Sequence, residues 1–327
     1  MLIDDLKIVE KVKAIIKRHN LIKPKEIVIL GVSGGADSVA LAYILNHLKK
    51  PLNFKLHIAH LDHALREVSK KEAVFVKTLA KRLNVPFTLR RIDIKKLPGK
   101  FSVEEKARNA RFGFFLTLAK KINANKIATA HNFNDQAETV LMRLIRGSGL
   151  EGLAGIVPIR KIGGVSVIRP LLMIKRREIE SFLKRNRIKF CIDKSNRSKI
   201  YFRNRIRLLL LPYLEKRYNK NIKEALFNLG LSAGSDYDYL KSSMRHLLKG
   251  NKTRLSLKSL YSLHHSALRF RIREAIRALQ GDTRRVTFKH IQEVEDLIFF
   301  RPVESIVDLP KGLSVKKKEK TLLFYLR

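Results

Sequence analysis

The chain has one cysteine, no tryptophan and few acids for its 327 residues, and each shortage narrows what it can be. The single thiol, Cys191, permits neither a disulfide framework nor a multi-thiolate metal centre within one chain. It reads as a small packed residue rather than a nucleophile. No run approaches the roughly eighteen uncharged apolar residues of a membrane-spanning helix, so no membrane partner is expected. Met1 to Asn20 mixes acids and lysines with short apolar runs and lacks a small-residue cleavage site, so it reads as a helix rather than a secretory leader. The expected compartment is the cytoplasm.

Asp and Glu total 29 against 69 Lys and Arg, a formal charge of +40. Self-repulsion on this scale opposes compaction, and a polyanionic partner would relieve it. A heat-adapted bias or simply solvated lysines would give the same balance, but the clustering of the cations favours nucleic acid. Apolar residues make up 45% of the chain, enough for a buried core and against wholesale disorder. The length suits a catalytic domain over residues 1–215 and a smaller, mainly helical domain over 216–327.

Glu26 to Gly31 is a short branched apolar run stopped by glycine, the pattern of a strand buried on both faces. A helical stripe follows in Asp37 to Lys49. The alternation then repeats with strands at Lys55 to Leu61, Pro86 to Ile92 and Lys126 to Ala130, and helices at Glu67 to Leu83, Val103 to Ile122 and Asp135 to Ile145. This predicts an α/β fold, an open and mostly parallel sheet with helices on both faces, which places ligands at the C-terminal strand ends. A hairpin is expected at Gly163 and Gly164, a helix at Lys175 to Arg187, and a short helix at Arg203 to Leu211 halted by Pro212. Helices at Ile222 to Leu248, Ser262 to Gln280 and Lys289 to Phe299 follow, then short strands turning at Pro310 to Gly312.

The sharpest local feature is Gly31-Val32-Ser33-Gly34-Gly35-Ala36-Asp37-Ser38, between the first strand and its helix. Ser33, Gly34, Gly35 and Ser38 can cradle phosphate with backbone amides and hydroxyls. No lysine follows the glycines, so this is not the loop of ordinary P-loop hydrolases, and the spacing fails the dinucleotide fingerprint. Asp37 could cap the helix, but among phosphate-binding amides it is suited to hold Mg²⁺.

Further candidates sit at later strand ends. His60 to Arg66 follows the second strand, and His60 is expected to face nucleotide. Glu104, Arg108 and Arg111 share one helix face. In His131 to Thr139, Asn134 is expected to cap the helix, with Asp135 and Glu138 on one side of it; His131 is a further nucleotide contact. The segment Lys175 to Arg207 holds 13 Lys and Arg against 3 acids, and Arg203, Arg205 and Arg207 are expected to meet RNA phosphates.

Ser33-Gly34-Gly35-x-Asp37-Ser38 after a strand resembles the loop of the N-type ATP pyrophosphatases, the PP-loop superfamily. The ordered set of that loop, His60 to Arg66, Ala107 to Phe112, His131 to Thr139, Arg146 to Leu153, Arg169-Pro170-Leu171-Leu172, Asp193-x-Ser195-Asn196 and Arg203-Asn204-x-Ile206-Arg207 closely resembles the bacterial tRNA(Ile)-lysidine synthases. The resemblance covers roughly Glu26 to Pro212, and ending at Arg327 the chain is similar to a short form without the extra C-terminal domain of longer members. It implies a Rossmann-like catalytic domain and a carbon–nitrogen ligase using ATP, Mg²⁺, free L-lysine and tRNA(Ile) with a CAU anticodon; a homodimer is left open. It implies that Asp37 holds the metal, that Asp135 and Glu138 bind lysine or metal, and that Arg111 orients a carboxylate or phosphate. A tRNA thiolation enzyme of the same superfamily is the nearest rival, and a lone cysteine argues against it.

Overall fold

The computed structural model describes residues 6–63, 68–98, 102–192, 199–248, 250–283 and 285–327. Ala64 to Arg66 and the Asp193-x-Ser195-Asn196 motif lie outside them, as does the side chain of Glu104. The elements of the first part are α1 (Leu6–Arg18), β1 (Ile27–Gly31), α2 (Ala36–Leu48), β2 (Lys55–Asp62), α3 (Val68–Leu83), β3 (Phe87–Arg91), α4 (Val103–Lys121), β4 (Lys126–Ala128) and α5 (Phe133–Ile145). They continue with α6 (Leu150–Leu153), β5 (Ile159–Ile162), β6 (Val165–Ile168), α7 (Arg176–Arg185), α8 (Phe202–Arg205), α9 (Leu211–Arg217) and α10 (Ile222–Ser243).

The predicted α/β sheet is present, in the order β3-β2-β1-β4-β6-β5. All neighbours run parallel except β5, which returns antiparallel to β6 through the expected glycine hairpin. The run Val28-Ile29-Leu30 is fully buried because the sheet is covered on both faces. Val28 and Leu30 join one core with α1, α2 and α7, while Ile29 joins the other with Phe114, Phe115 and Leu118 of α4. The period-two alternation of a strand thus feeds two layers. Gly31 ends β1 where a Cβ would lie 2.6 Å from the Phe115 ring, so only glycine lets the helix come this close.

After β1 the chain builds β2 and β3 on one side, then crosses to lay β4 on the other. That reversal opens a crevice above the C-terminal ends of β1 and β4, the switch point where such sheets bind ligands.

Pro212 does not halt a helix as expected. Ile206–Leu210 forms a π turn, and Pro212 sits in the first turn of α9, which runs on to Arg217. The Leu211 N–H donates to the Ile206 carbonyl, so the turn widens just ahead of a residue that has no N–H to give.

Compactness divides the chain into Met1–Asp236 and Tyr237–Arg327, within α10. The early part of α10 belongs with the first unit: Leu226 shares a core with Val140, and Phe227 stacks on Phe133 at 4.4 Å. The second unit holds α11 (Leu257–Tyr261), α12 (His265–Gln280) and α13 (Phe288–Phe299), which pack on a four-stranded antiparallel sheet. Its strands are β7 (Arg254–Ser256), β8 (Ile306–Leu309), β9 (Leu313–Lys317) and β10 (Thr321–Leu326), ordered β7-β10-β9-β8. The expected turn at Pro310 to Gly312 joins β8 to β9. The strand β7, three residues long, gave no sequence signal. No helix among the described residues is long and apolar enough to cross a membrane.

Candidate active site

The loop from Val32 to Gly35 leaves β1 and enters α2. Gly34 takes φ +91°, a region that costs other residues energy, and its carbonyl accepts the Cys191 N–H at 2.9 Å. A Cβ on Gly34 would meet the Cys191 Sγ at 3.4 Å, so the lone thiol is a packing brace behind the loop. Burial raises the pKa of that thiol, which disfavours the nucleophilic thiolate. The Ser38 Oγ donates to the Gly35 carbonyl at 2.9 Å and accepts from the Ser33 N–H at 3.2 Å, clamping the turn. Gly35 is the N-cap of α2 and supplies no side-chain cap, so the first amides of the helix are left for an anion.

Asp37 stands in the first turn of α2. Its carboxylate accepts from Asn132 Nδ2 at 3.1 Å and from Arg176 Nη1 at 2.6 Å. Burial pushes its pKa up to about 6 against the pull of Arg176, and the nearby Asp135 charge adds to the rise.

The cap of α5 is Asn132, not Asn134 as expected. Asn132 Oδ1 accepts from the Asp135 N–H at 3.1 Å, and Asp135 Oδ2 accepts from the Asn132 N–H at 3.0 Å, a reciprocal capping box. Asn134 instead accepts the Arg176 N–H at the start of α7, 3.0 Å away. The chain enters the helix two residues earlier because this box satisfies two otherwise orphaned donors. The same box fixes Asp135 over the crevice.

Asp135 and Glu138 do share one side of α5, and they are brought together with Arg203 and Arg207. Arg203 donates Nε to Glu138 Oε2 and Nη2 to Asp135 Oδ1, both at 2.9 Å. Arg207 donates Nε to Glu138 Oε1 at 2.5 Å and Nη2 to Asp135 Oδ1 at 3.2 Å. Glu138 is 2% exposed, and two bound guanidiniums offset its burial. Two of the three arginines expected at RNA phosphates are thus held by carboxylates. Arg205 points elsewhere: it is exposed, with its guanidinium 5.7 Å from the Phe202 ring, which Arg146 also covers at 5.0 Å.

His60 is buried with Nδ1 2.7 Å from the Val32 carbonyl, and its Nε2 has no partner among the described residues. His131 Nδ1 lies 2.9 Å from Thr129 Oγ1. Burial lowers the His131 pKa to about 4; Asp135 opposes this, while Arg169, Arg203 and Arg111 reinforce it. Burial, with Arg111 beside it, takes His63 to about 4 as well. Both rings are therefore neutral near pH 7. Arg111 is exposed on α4, close enough to act on both histidines, which puts it at the edge of the same crevice.

Sequence reasoning passed over Asn132 and Arg176. Asn at N-cap with Asp at the third helical position was a readable signal for the first. Arg176 was counted only as one cation of a basic run, and nothing local distinguished it from its neighbours.

Among the described residues no group of three or more His, Cys, Asp or Glu forms a ready metal cage. The donor set at Asp37, one half-buried carboxylate beside an uncapped helix end, suits a Mg²⁺ that takes its other ligands from phosphate and water.

The PP-loop domain model matches residues 5–214. The chain is 37% identical to the tRNA(Ile)-lysidine synthase of Clostridioides difficile, over 97% of this chain and 70% of that protein. It is 35% identical to the one from Caldanaerobacter subterraneus subsp. tengcongensis, over 96% of this chain and 68% of that protein. The chain belongs to the tRNA(Ile)-lysidine synthase family. Membership in this branch of the PP-loop proteins makes it an ATP-dependent ligase. Among solved structures it is similar to the U34-tRNA thiolase NcsA of Methanococcus maripaludis, with TM-score 0.56, 19% identity, and coverage of 68% of this chain and 78% of that one. At that identity the likeness is one of fold, shared by a synthase and a thiolase alike.

Proposed function

We propose that the chain attaches free L-lysine to the wobble cytidine of tRNA(Ile) carrying a CAU anticodon. The observation that carries this reading is one meeting point: the uncapped Ser33–Ser38 turn, Asp37 with Arg176, and the Asp135 and Glu138 carboxylates with their arginines all converge above β1 and β4. The family relationship supports this choice of substrates.

In the first step the C2 carbonyl oxygen of cytidine bonds to the α phosphorus of ATP, and the bond to the β phosphate breaks. Ser33, Gly34, Gly35 and Ser38, with the α2 amides, hold the departing pyrophosphate. Asp37 would hold Mg²⁺, which when bound neutralises charge on the phosphates. His60 contacts the nucleotide, and so does His131, as a neutral hydrogen-bonding ring rather than as a cation.

In the second step the lysine side-chain nitrogen bonds to C2, the C2–O bond breaks, and AMP leaves with that oxygen. The free amine has a pKa of about 10.4 and must shed a proton first. Asp135 or Glu138 is the acceptor, and the lysine ammonium competes with Arg203 and Arg207 for these carboxylates. Arg111 orients a carboxylate or phosphate from the rim. Arg205, with no carboxylate partner among the described residues, contacts RNA phosphate, and Arg203 and Arg207 join it when lysine displaces them.

In this reading residues 1–215 are the catalytic domain and 216–327 contact tRNA. The compartment is the cytoplasm, and a homodimer would be detected by light scattering. Purified protein with ATP, Mg²⁺, labelled lysine and unmodified tRNA is expected to yield AMP, pyrophosphate and lysine bonded to cytidine. ATP turnover without RNA, or label that never enters tRNA, would defeat the reading.

A further inference from the structure

The second unit holds a cavity of about 360 Å³ that the proposed chemistry does not use. Its polar wall is Arg254, Arg271, His246, Asn251, Ser256 and Ser259, and its apolar wall includes Leu255 and Leu260. Arg271, on α12, is 6% exposed. Its Nη2 donates to the Asn251 carbonyl at 2.8 Å, but its Nη1 is buried with no partner among the described residues. A guanidinium stripped of water is costly, and a cavity with two arginines in its wall favours an anionic occupant. Glu274, the acid whose charge acts on Arg271, is bonded to Arg277. No lining residue is acidic. Arg254 on β7 is exposed at the mouth and adds a second forked donor.

We propose that this cavity seats one phosphate of the RNA substrate, gripped by Arg271 and Arg254, with the leucine wall receiving the attached sugar or base. Two guanidiniums suit a phosphate bearing two free oxygens, and the cavity has the size of small-molecule sites. The assignment rests on the tRNA reading above and adds to it a fixed anchoring point within the second unit. Inorganic phosphate shares the recognised chemistry, and the experiment separates the two sources.

Three full-length variants make the test, each checked for folding by thermal melting. Ser259→Phe blocks the cavity without changing charge, Arg254→Gln removes one donor, and Lys258→Gln removes an exposed charge that does not line it. Fluorescence anisotropy with labelled unmodified tRNA is expected to show at least a fivefold weaker Kd for S259F. R254Q should weaken binding similarly and lower the salt slope by about 1. K258Q should change Kd less than twofold. Equal losses in R254Q and K258Q with S259F unaffected would mean a plain basic surface and overturn the proposal. Unchanged tRNA affinity in S259F, together with loss of inorganic phosphate binding measured by equilibrium dialysis at saturating ATP, would assign the cavity to free phosphate and overturn it too. If wild type neither binds nor modifies tRNA, it is the tRNA reading that fails; if wild type does both and S259F matches it in tRNA and phosphate binding alike, only the cavity assignment falls.

Discussion

Arg207 grips Glu138 with two donors, Nε to Oε1 at 2.5 Å and Nη2 to Oε2 at 2.9 Å, across 69 residues of sequence. The pair ties the π turn before α9 to the second turn of α5, and Arg203 doubles the tie. Two cations offset the cost of burying this carboxylate. Removing one side leaves the other exposed to a low dielectric.

Glu138→Ala is therefore expected to destabilise the first unit by on the order of 3 kcal/mol, the usual loss when a buried pair is broken from one side. Urea unfolding followed by circular dichroism measures it. Transfer of lysine to tRNA already adenylated should also fall at least tenfold in E138Q, in which the amide cannot accept the proton. Normal single-turnover transfer in both E138Q and D135N would remove both acids from that role.

The three arginines of one cluster should separate by function. Arg205→Gln should weaken tRNA binding and flatten its salt dependence while leaving the melting temperature within about 2 °C, since an exposed cation contributes little to stability. Arg203→Gln should lower the melting temperature as well, because it strips a donor from both Asp135 and Glu138. Identical behaviour of the two variants in both assays would contradict the geometry.

Gly34→Ala places a side chain at φ +91° and against Cys191. The conformational cost is about 1–2 kcal/mol. The turn should relax and ATP affinity by calorimetry should drop several-fold. A variant that keeps wild-type affinity would show that the turn does not need this backbone.

His131 sets a pH dependence. Its folded pKa, about 4, is below the roughly 6.5 of an unfolded histidine, so the unfolded chain takes up the proton first. Its contribution is fully present above pH 6.5 and is lost as pH falls toward 4. The wild-type melting temperature should decline through that window, and His131→Gln should decline less. Parallel curves would mean the ring is not held neutral by its burial.

Much of the architecture was legible because it depends on local pattern. Val28-Ile29-Leu30 announces a strand covered on both faces, and the helices after it have the lengths that crossovers need. Strand β7 was invisible because three residues carry no period, and the π turn was invisible because Pro212 signals a break more strongly than it signals a first turn. At the site, the sequence marked Ser33 to Ser38, Asp135 and Glu138 by their places after strands, but it could not mark Arg176 among other cations.

The sequence by itself determined the parallel sheet, the tight turn at Gly34, and a charge that calls for a polyanion, since each follows from residue types within a short window or from their sum. Only the tertiary structure decided which cations meet which acids. Arg203 and Glu138 are 65 residues apart and Arg176 and Asp37 are 139 apart, so their pairing depends on where β4 and α7 are laid beside β1. Charge is written in the chain, but at distances of a few ångström its effect is set by the neighbour, and the neighbour is chosen by the fold.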